Sequence, residues 1–145
     1  MRYAYPCQIT RHEEDDFVVT FPDVTGAITG GASRAEALEL AGDALAAALG
    51  MYVELREPIP VPSPVLDGQE VVAVDPVTAA KLELYTAMRA QGISKRGLAE
   101  RLGLSATTVS RLTDPGNNSR IGHVLRALQA VGRDLVIEGR AASVR

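Results

Sequence analysis

Residues 94–114, SKRGLAERLGLSATTVSRLTD, limit the possible folds more than any other part of the 145-residue chain. Apolar side chains recur there at helical spacing in two short groups: Leu98, Ala99 and Leu102, then Val109 and Leu112. Gly103 lies between the groups, where a tight corner needs a residue that tolerates a positive φ angle. Ser105 is a preferred residue for capping the second helix. The pattern is typical of a helix-turn-helix, in which a small residue such as Ala99 lets two helices approach.

The side of the second helix that would face solvent carries small groups, hydroxyls and one guanidinium. Such a surface suits contact with base edges in the major groove of DNA. Lys95 and Arg96 begin the first helix and residues 118–120 precede a later one, so both segments are expected to meet phosphates. The predicted DNA-binding residues are Lys95, Arg96, Ser105, Ala106, Thr107, Thr108, Ser110, Arg111, Asn118, Ser119 and Arg120. Because such modules generally bind two half-sites, the sequence predicts a homodimer, whose N-terminal sheets could join dimers into a tetramer.

Charge divides the chain into two unlike parts, although the formal net charge is only −3. Residues 1–76 contain 4 basic and 13 acidic side chains, a net −9, whereas residues 77–145 contain 11 basic and 5 acidic ones, a net +6. A basic half that holds a helix-turn-helix matches a polyanionic partner such as DNA. The acidic half is therefore expected to serve a different partner.

The N-terminal 31 residues show the alternation of half-buried strands. One face of a first strand, over residues 2–9, would carry Tyr3, Tyr5, Cys7 and Ile9. Pro6 suits an edge position of the sheet better than a central one. After a polar turn at residues 12–16, a second strand over residues 17–21 is expected to pair back as a hairpin. A short third strand is bracketed by turns at Gly26, Gly30 and Gly31.

A helix is predicted next, from a capping box of Ser33 and Glu36 to about residue 55. Its apolar stripe would pack on the sheet and consists of Leu38, Leu45, Leu49 and Tyr52. The prolines of PIPVPSP make residues 56–68 a stiff extended connection, and EVVAV at residues 70–74 is expected to complete the sheet. Residues 1–74 are thus predicted to form an α+β domain with the order β-β-β-α-β.

The remaining residues, 75–145, are predicted to form an all-α domain for DNA binding and dimerisation. Asp75 and Pro76 would open a helix that Gly92 ends, because a cap, a first-turn proline and a terminal glycine favour these places. The buried stripe of that helix would be Ala79, Leu82, Tyr85 and Met88. A last helix is expected to end at Gly132. The sequence LVIE at residues 135–138 is a short strand candidate that would need a partner, such as another subunit.

Other signals argue for the absence of a metal, a cofactor or a membrane span. Cys7 has no second cysteine to pair with, and the only two histidines lie far apart in sequence, so a zinc site is not expected. The glycine-rich residues 22–31 lack the endings of phosphate-binding motifs. Four carboxylates at residues 13–16 are expected to form a solvated turn. No apolar run is long enough for a membrane helix and no signal peptide is evident, so the expected location is the cytoplasm.

Three stretches together resemble the HicB-type antitoxins of bacterial toxin–antitoxin pairs, in the longer form with a C-terminal helix-turn-helix: FPDVTGAITGGASRAEAL, IPVPSP and VVAVDPVTAAKLELYTAMRAQGISKRGLAERLGLSATTVSRL. The family often has Cys where this chain has Ala27, and Asp–Thr where it has Ala32 and Ser33. The resemblance implies a partial ribonuclease-H-like N-terminal domain that neutralises a small, HicA-type mRNA-cleaving toxin. It also implies a C-terminal domain that dimerises and represses the operon's own promoter. An acidic N-terminal half would then complement a basic, RNA-binding toxin.

The leading hypothesis is therefore an antitoxin and autorepressor that is not an enzyme. One alternative is a ligand-sensing helix-turn-helix transcription factor, which predicts an apolar pocket with a few convergent polar groups. A second alternative is an active nuclease that uses Asp23 and the carboxylates of residues 13–16. The sequence shows no scattered set of carboxylates of the kind that two catalytic metals need.

Overall fold

The computed structural model describes residues 2–141 and has an α+β fold. The elements, in chain order, are β1 (Ala4–Glu13), β2 (Asp16–Thr20), β3 (Ile28–Gly31), α1 (Arg34–Glu54), β4 (Glu70–Ala73), α2 (Pro76–Gln91), α3 (Lys95–Leu102), α4 (Ala106–Thr113) and α5 (Ile121–Ala130). The predicted β-β-β-α-β order of the first part is confirmed, as is the helical character of the part that follows.

The four strands form one antiparallel sheet with the order β3-β2-β1-β4. β1 is therefore an inner strand, which differs from the edge position expected for Pro6. The reason is that β1 is paired in two halves: Pro6 lies opposite Val71 on β4, whereas pairing with β2 begins only at Gln8. Pro6 thus has a neighbouring strand on one side only, and its missing N–H interrupts no second ladder.

α1 covers one face of this sheet and forms the first hydrophobic core. Ser33 caps the helix by accepting a hydrogen bond from the Glu36 backbone N–H at 3.1 Å, which confirms its predicted role. Leu45 and Leu49 are fully buried, and they pack in the same core as Tyr5, Cys7 and Val19 from the strands. The lone Cys7 is therefore a buried core residue.

The proline-rich connection has no helix or strand, as expected, but it is fastened to the first core. Ile59 is buried, and the Tyr5 hydroxyl donates to the Pro60 carbonyl at 2.7 Å. The Asp23 carboxylate accepts from both the backbone N–H and the hydroxyl of Ser63, at 2.8 and 2.6 Å. These contacts make the connection an integral part of the N-terminal unit.

A second core is built from α2, α3, α4 and α5, and α2 contributes to both cores. Leu82 is buried with the first core, whereas Ala80, Leu84 and Ala87 are buried with the second. Asp75 caps α2 by accepting from the Thr78 N–H at 3.0 Å, and Gly92 ends it in the left-handed conformation, both as predicted. Since its two sides lie in different cores, α2 joins the two parts of the protein.

The strand candidate at residues 135–138 has no partner strand within the described chain, and its pairing with another subunit stays a prediction. Residues 133–141 contain no helix or strand. Leu135 packs against the second core, but Val136 and Ile137 are 90% and 68% exposed. A strand needs a neighbour to pair with, and no strand of residues 2–141 pairs with this segment. Within residues 2–141, no helix has both the length and the apolar character needed to cross a membrane.

Candidate functional site

The candidate site is built on α3 and α4, whose ends are fixed by local hydrogen bonds. The Ser94 hydroxyl accepts from the Gly97 N–H at 3.0 Å and so caps α3. Gly103 ends α3 with a φ angle of 65°, a left-handed conformation that glycine adopts without strain. The Ser105 hydroxyl then accepts from the Thr108 N–H at 3.2 Å and caps α4. The predicted bounds and corner of this helix pair are confirmed.

Packing decides which side of α4 faces solvent. Val109 and Leu112 are buried in the second core together with Leu98 of α3 and Leu128 of α5. An α-helix has about 3.6 residues per turn. When Val109 and Leu112 face the core, the positions between them therefore face solvent. The outward side of α4 is therefore the side predicted from the sequence to meet DNA.

The predicted DNA-binding residues are accessible in the structure. All of them are exposed except Ser119, which is half-buried. The hydroxyls of Ser105 and Thr108 lie 2.9 Å apart and share a hydrogen bond, so both serve the cap of α4. The Arg96 guanidinium lies 3.9 Å from the Glu100 carboxylate, an exposed pair that contributes little stability.

These residues form three groups, at the start of α3, along α4 and just before α5. The third group follows a turn in which the Asn117 N–H donates to the Asp114 carbonyl at 3.1 Å. The Asp114 carboxylate also accepts from the Gly116 N–H, at 2.9 Å. Arg120 occupies the N-cap position of α5, so residues 118–120 lie at the start of this helix, as expected from the sequence. The Arg120 side chain makes no capping hydrogen bond to the helix.

Lys81 is the residue of this region that was not predicted from the sequence. It lies on α2 and is fully buried, and its ammonium donates to the backbone carbonyls of Arg111, Asp114 and Asn117 at 3.1, 2.9 and 2.5 Å. Burial lowers the pKa of Lys81, and the negative charges of Asp114 and Asp75 partly oppose this effect. The available signal was its place in an apolar stripe, three positions before Leu84.

A second surface of interest is the outer side of α1, which faces away from the sheet. Its N-terminal half presents exposed carboxylates and one exposed leucine: Glu36, Glu39, Leu40 and Asp43. The C-terminal half of the same side borders a cleft of about 230 Å³ that residues 114–116 line from across the protein. This volume lies below the roughly 300–1,000 Å³ typical of small-molecule sites.

The carboxylates of the nuclease alternative do not form a metal centre in the described structure. Both oxygens of Asp23 accept hydrogen bonds from Ser63, which gives this residue a structural role. The exposed acidic residues 13–16 form the end of the β1–β2 hairpin. Within residues 2–141, no three His, Cys, Asp or Glu side chains are grouped so that they could hold a metal ion.

Comparison with known proteins identifies the class to which this fold belongs. A family model described as a HicB-like antitoxin of bacterial toxin–antitoxin systems matches residues 4–83. The protein named antitoxin HicB 1 of Photorhabdus laumondii is 36% identical over 133 residues, which cover 92% of this chain and 84% of that protein. Antitoxin HicB of Escherichia coli K12 is 34% identical over 131 residues, which are 90% of this chain and 95% of that one.

A further relative, antitoxin HicB of Pseudomonas fluorescens Pf0-1, is 35% identical over 133 residues and covers 90% of this chain and 91% of its own. The family match continues into α2, the helix that is shared between the two cores. The chain belongs to the HicB-like antitoxin family of bacterial toxin–antitoxin systems.

Proposed function

We propose that this antitoxin binds and neutralises a HicA-type mRNA-cleaving toxin and represses its own operon by binding operator DNA. The observation that carries the second role is the outward side of α4, where hydroxyls and the guanidinium of Arg111 are exposed on a chain of this family. Residues 1–74 would bind the toxin and residues 75–145 would bind DNA and dimerise. Both partners would be met in the cytoplasm.

For DNA binding, we propose that α3 and α4 act together as a helix-turn-helix. With Val109 and Leu112 buried, Thr107, Ser110 and Arg111 share the outward side of α4, at spacings of three and four residues. An arginine can bind a guanine through two hydrogen bonds, which makes Arg111 the strongest candidate for base recognition. Lys95 and Arg96 would contact phosphates beside the groove. Two copies of the chain would place two such helices on successive half-sites.

The toxin-binding part rests on charge and on the free side of α1. Exposed carboxylates and a leucine on one helical surface suit a basic partner. The RNA-binding toxin that the resemblance implies would be basic. Carboxylates near a helix N-terminus are also compatible with the helix dipole. We therefore assign the toxin contact to the N-terminal half of α1, where Glu39 and Asp43 lie.

Fluorescence anisotropy with the full chain tests the DNA-binding role. The probes are a duplex from immediately upstream of the operon and a shuffled duplex of equal length. The wild-type protein should prefer the first duplex, and Arg111→Ala should weaken binding to that duplex by about tenfold while changing binding to the shuffled one much less. The matched control is Arg11→Ala, which removes the same group from β1 and should change neither affinity. Equal losses on both duplexes would exclude Arg111 from base recognition.

Co-purification tests the toxin-binding role. The neighbouring open reading frame is expressed with an affinity tag, in an inactivated form, together with the untagged full chain. The wild-type chain should be retained, whereas the variant with Glu39→Lys and Asp43→Lys should be retained at about one tenth of that amount or less, since attraction to a basic toxin becomes repulsion. A variant with Asp15→Lys and Asp16→Lys carries the same charge change at the hairpin end and serves as the control. Equal effects of the two variants would contradict a specific contact at α1.

A further inference from the structure

The end of α4 differs from the ends of the two helices before it. α2 and α3 both end at a glycine in the left-handed conformation, whereas α4 ends at Asp114 in an extended conformation, with φ −89° and ψ 112°. A helix leaves its last carbonyl groups without partners in the helix, and a cation near that end is favourable. The buried Lys81 ammonium occupies this place and donates to the Arg111 carbonyl.

The same ammonium also holds the turn that follows α4. An ammonium has three N–H donors, and the three carbonyls of Arg111, Asp114 and Asn117 accept from it at 2.5–3.1 Å. Two of these carbonyls lie at the two ends of the turn, and the third lies in the last turn of α4. Lys81 is therefore a rigid link from α2 to α4 and to the residues just before Asn118.

We propose that Lys81 is a positioning residue for DNA recognition, an inference that rests on the operator binding proposed above. It never contacts DNA, because it is fully buried. It fixes the backbone of Arg111, which would read bases, relative to residues 118–120, which would contact phosphates. When both groups are held in one geometry, base and phosphate contacts form together, and less ordering is needed on binding.

Two backbone hydrogen bonds of this region do not involve Lys81. The Arg111 carbonyl accepts from the Asp114 N–H at 3.3 Å, and the Asp114 carbonyl accepts from the Asn117 N–H at 3.1 Å. Because these backbone bonds do not depend on the ammonium, we expect α4 and the turn to form without it. α4 is then held against α2 by the apolar packing of the second core alone, so its position and that of the turn are fixed less precisely. Simultaneous contact with bases and phosphates requires this position.

Lys81→Met tests the proposal, because methionine has a similar length and no charge or donor. We measure the affinity ratio between the upstream duplex and the shuffled duplex. The ratio should fall by about tenfold, comparable to the loss of one base contact. Lys95→Met removes one exposed charge and should weaken both complexes equally, which leaves the ratio unchanged. A folded Lys81→Met protein with the wild-type ratio overturns the proposal, whereas a wild-type protein that does not discriminate rejects operator binding itself, and the proposal with it.

If Lys81→Met does not fold, nuclear magnetic resonance of the wild-type protein decides. In the operator complex, the Lys81 ammonium should exchange slowly with water and show couplings through its hydrogen bonds to the carbonyl carbons of Arg111, Asp114 and Asn117. An ammonium that exchanges as fast as exposed lysines in this complex overturns the proposal.

Discussion

Tyr5→Phe should change the pH dependence of stability in a way that follows from one hydrogen bond and one pKa. Tyr5 is fully buried and its hydroxyl donates to the Pro60 carbonyl at 2.7 Å, which ties the proline-rich connection to the first core. Burial, with the negative charge of Asp23 nearby, raises the pKa of Tyr5 to about 12 from the usual 10.0. Phenylalanine fills the same space but can neither donate nor ionise.

The two effects act at different pH and have opposite signs. At pH 7 the variant should be less stable by about 1 kcal/mol, because the Pro60 carbonyl loses its partner. Above pH 10 the unfolded wild-type chain releases the Tyr5 proton while the folded chain keeps it, so stability falls as the pH rises toward 12. The loss is about 1.4 kcal/mol by pH 11, and it approaches about 2.7 kcal/mol above pH 12. The variant lacks this loss, so the two proteins should be equally stable near pH 11.

Urea unfolding followed by circular dichroism at pH 7, 9 and 11 measures these free energies. Tyr3, whose pKa is also raised by burial and by its hydrogen bond to Glu83, is present in both proteins and cancels in the difference. The difference should be the same at pH 7 and pH 9 and should vanish near pH 11. A difference that stays constant from pH 7 to pH 11 would show that the Tyr5 hydroxyl does not keep its proton in the folded chain above pH 10.

Two further predictions concern the proposed DNA contacts and the role of Asp23. Lys95→Ala should weaken binding to the upstream and shuffled duplexes alike and should reduce the slope of log affinity against log salt by about one unit, as measured by anisotropy at several salt concentrations. An unchanged slope would exclude a phosphate contact. Asp23→Ala should lower the free energy of unfolding by about 1–3 kcal/mol, because the Ser63 amide and hydroxyl lose a charged acceptor. Unchanged stability in urea unfolding would contradict this structural role.

The features that could be predicted from the sequence depend on neighbouring residues. Ser33, Asp75 and Ser105 cap their helices because each side chain bonds an N–H three positions ahead. Gly92 and Gly103 end helices because each adopts a left-handed conformation that other residues avoid. The outward side of α4 follows from helical spacing alone. Such features need no knowledge of how distant parts of the chain meet.

The features that could not be predicted depend on distant contacts. The inner position of β1 arises because β4, more than 60 residues later, pairs with the half that contains Pro6. The proline-rich connection has the sequence of a plain linker, and its hydrogen bonds to Tyr5 and Asp23 become evident only in the structure. The place of Lys81 among apolar residues hints at burial, but its three acceptors could not be predicted because they lie 30–36 residues away. Residues 135–138 are not a strand within the single chain, because no neighbouring strand pairs with them there.

Neutralisation of a toxin by this chain can be measured as growth of bacteria that express the neighbouring open reading frame from an inducible promoter. The full chain is supplied from a second promoter, so that α2 is present to complete the first core. The neighbour alone should stop growth and the chain should restore it, whereas the variant with Glu39→Lys and Asp43→Lys should restore it less. A neighbour that stops growth equally with and without the wild-type chain would contradict its neutralisation by this antitoxin.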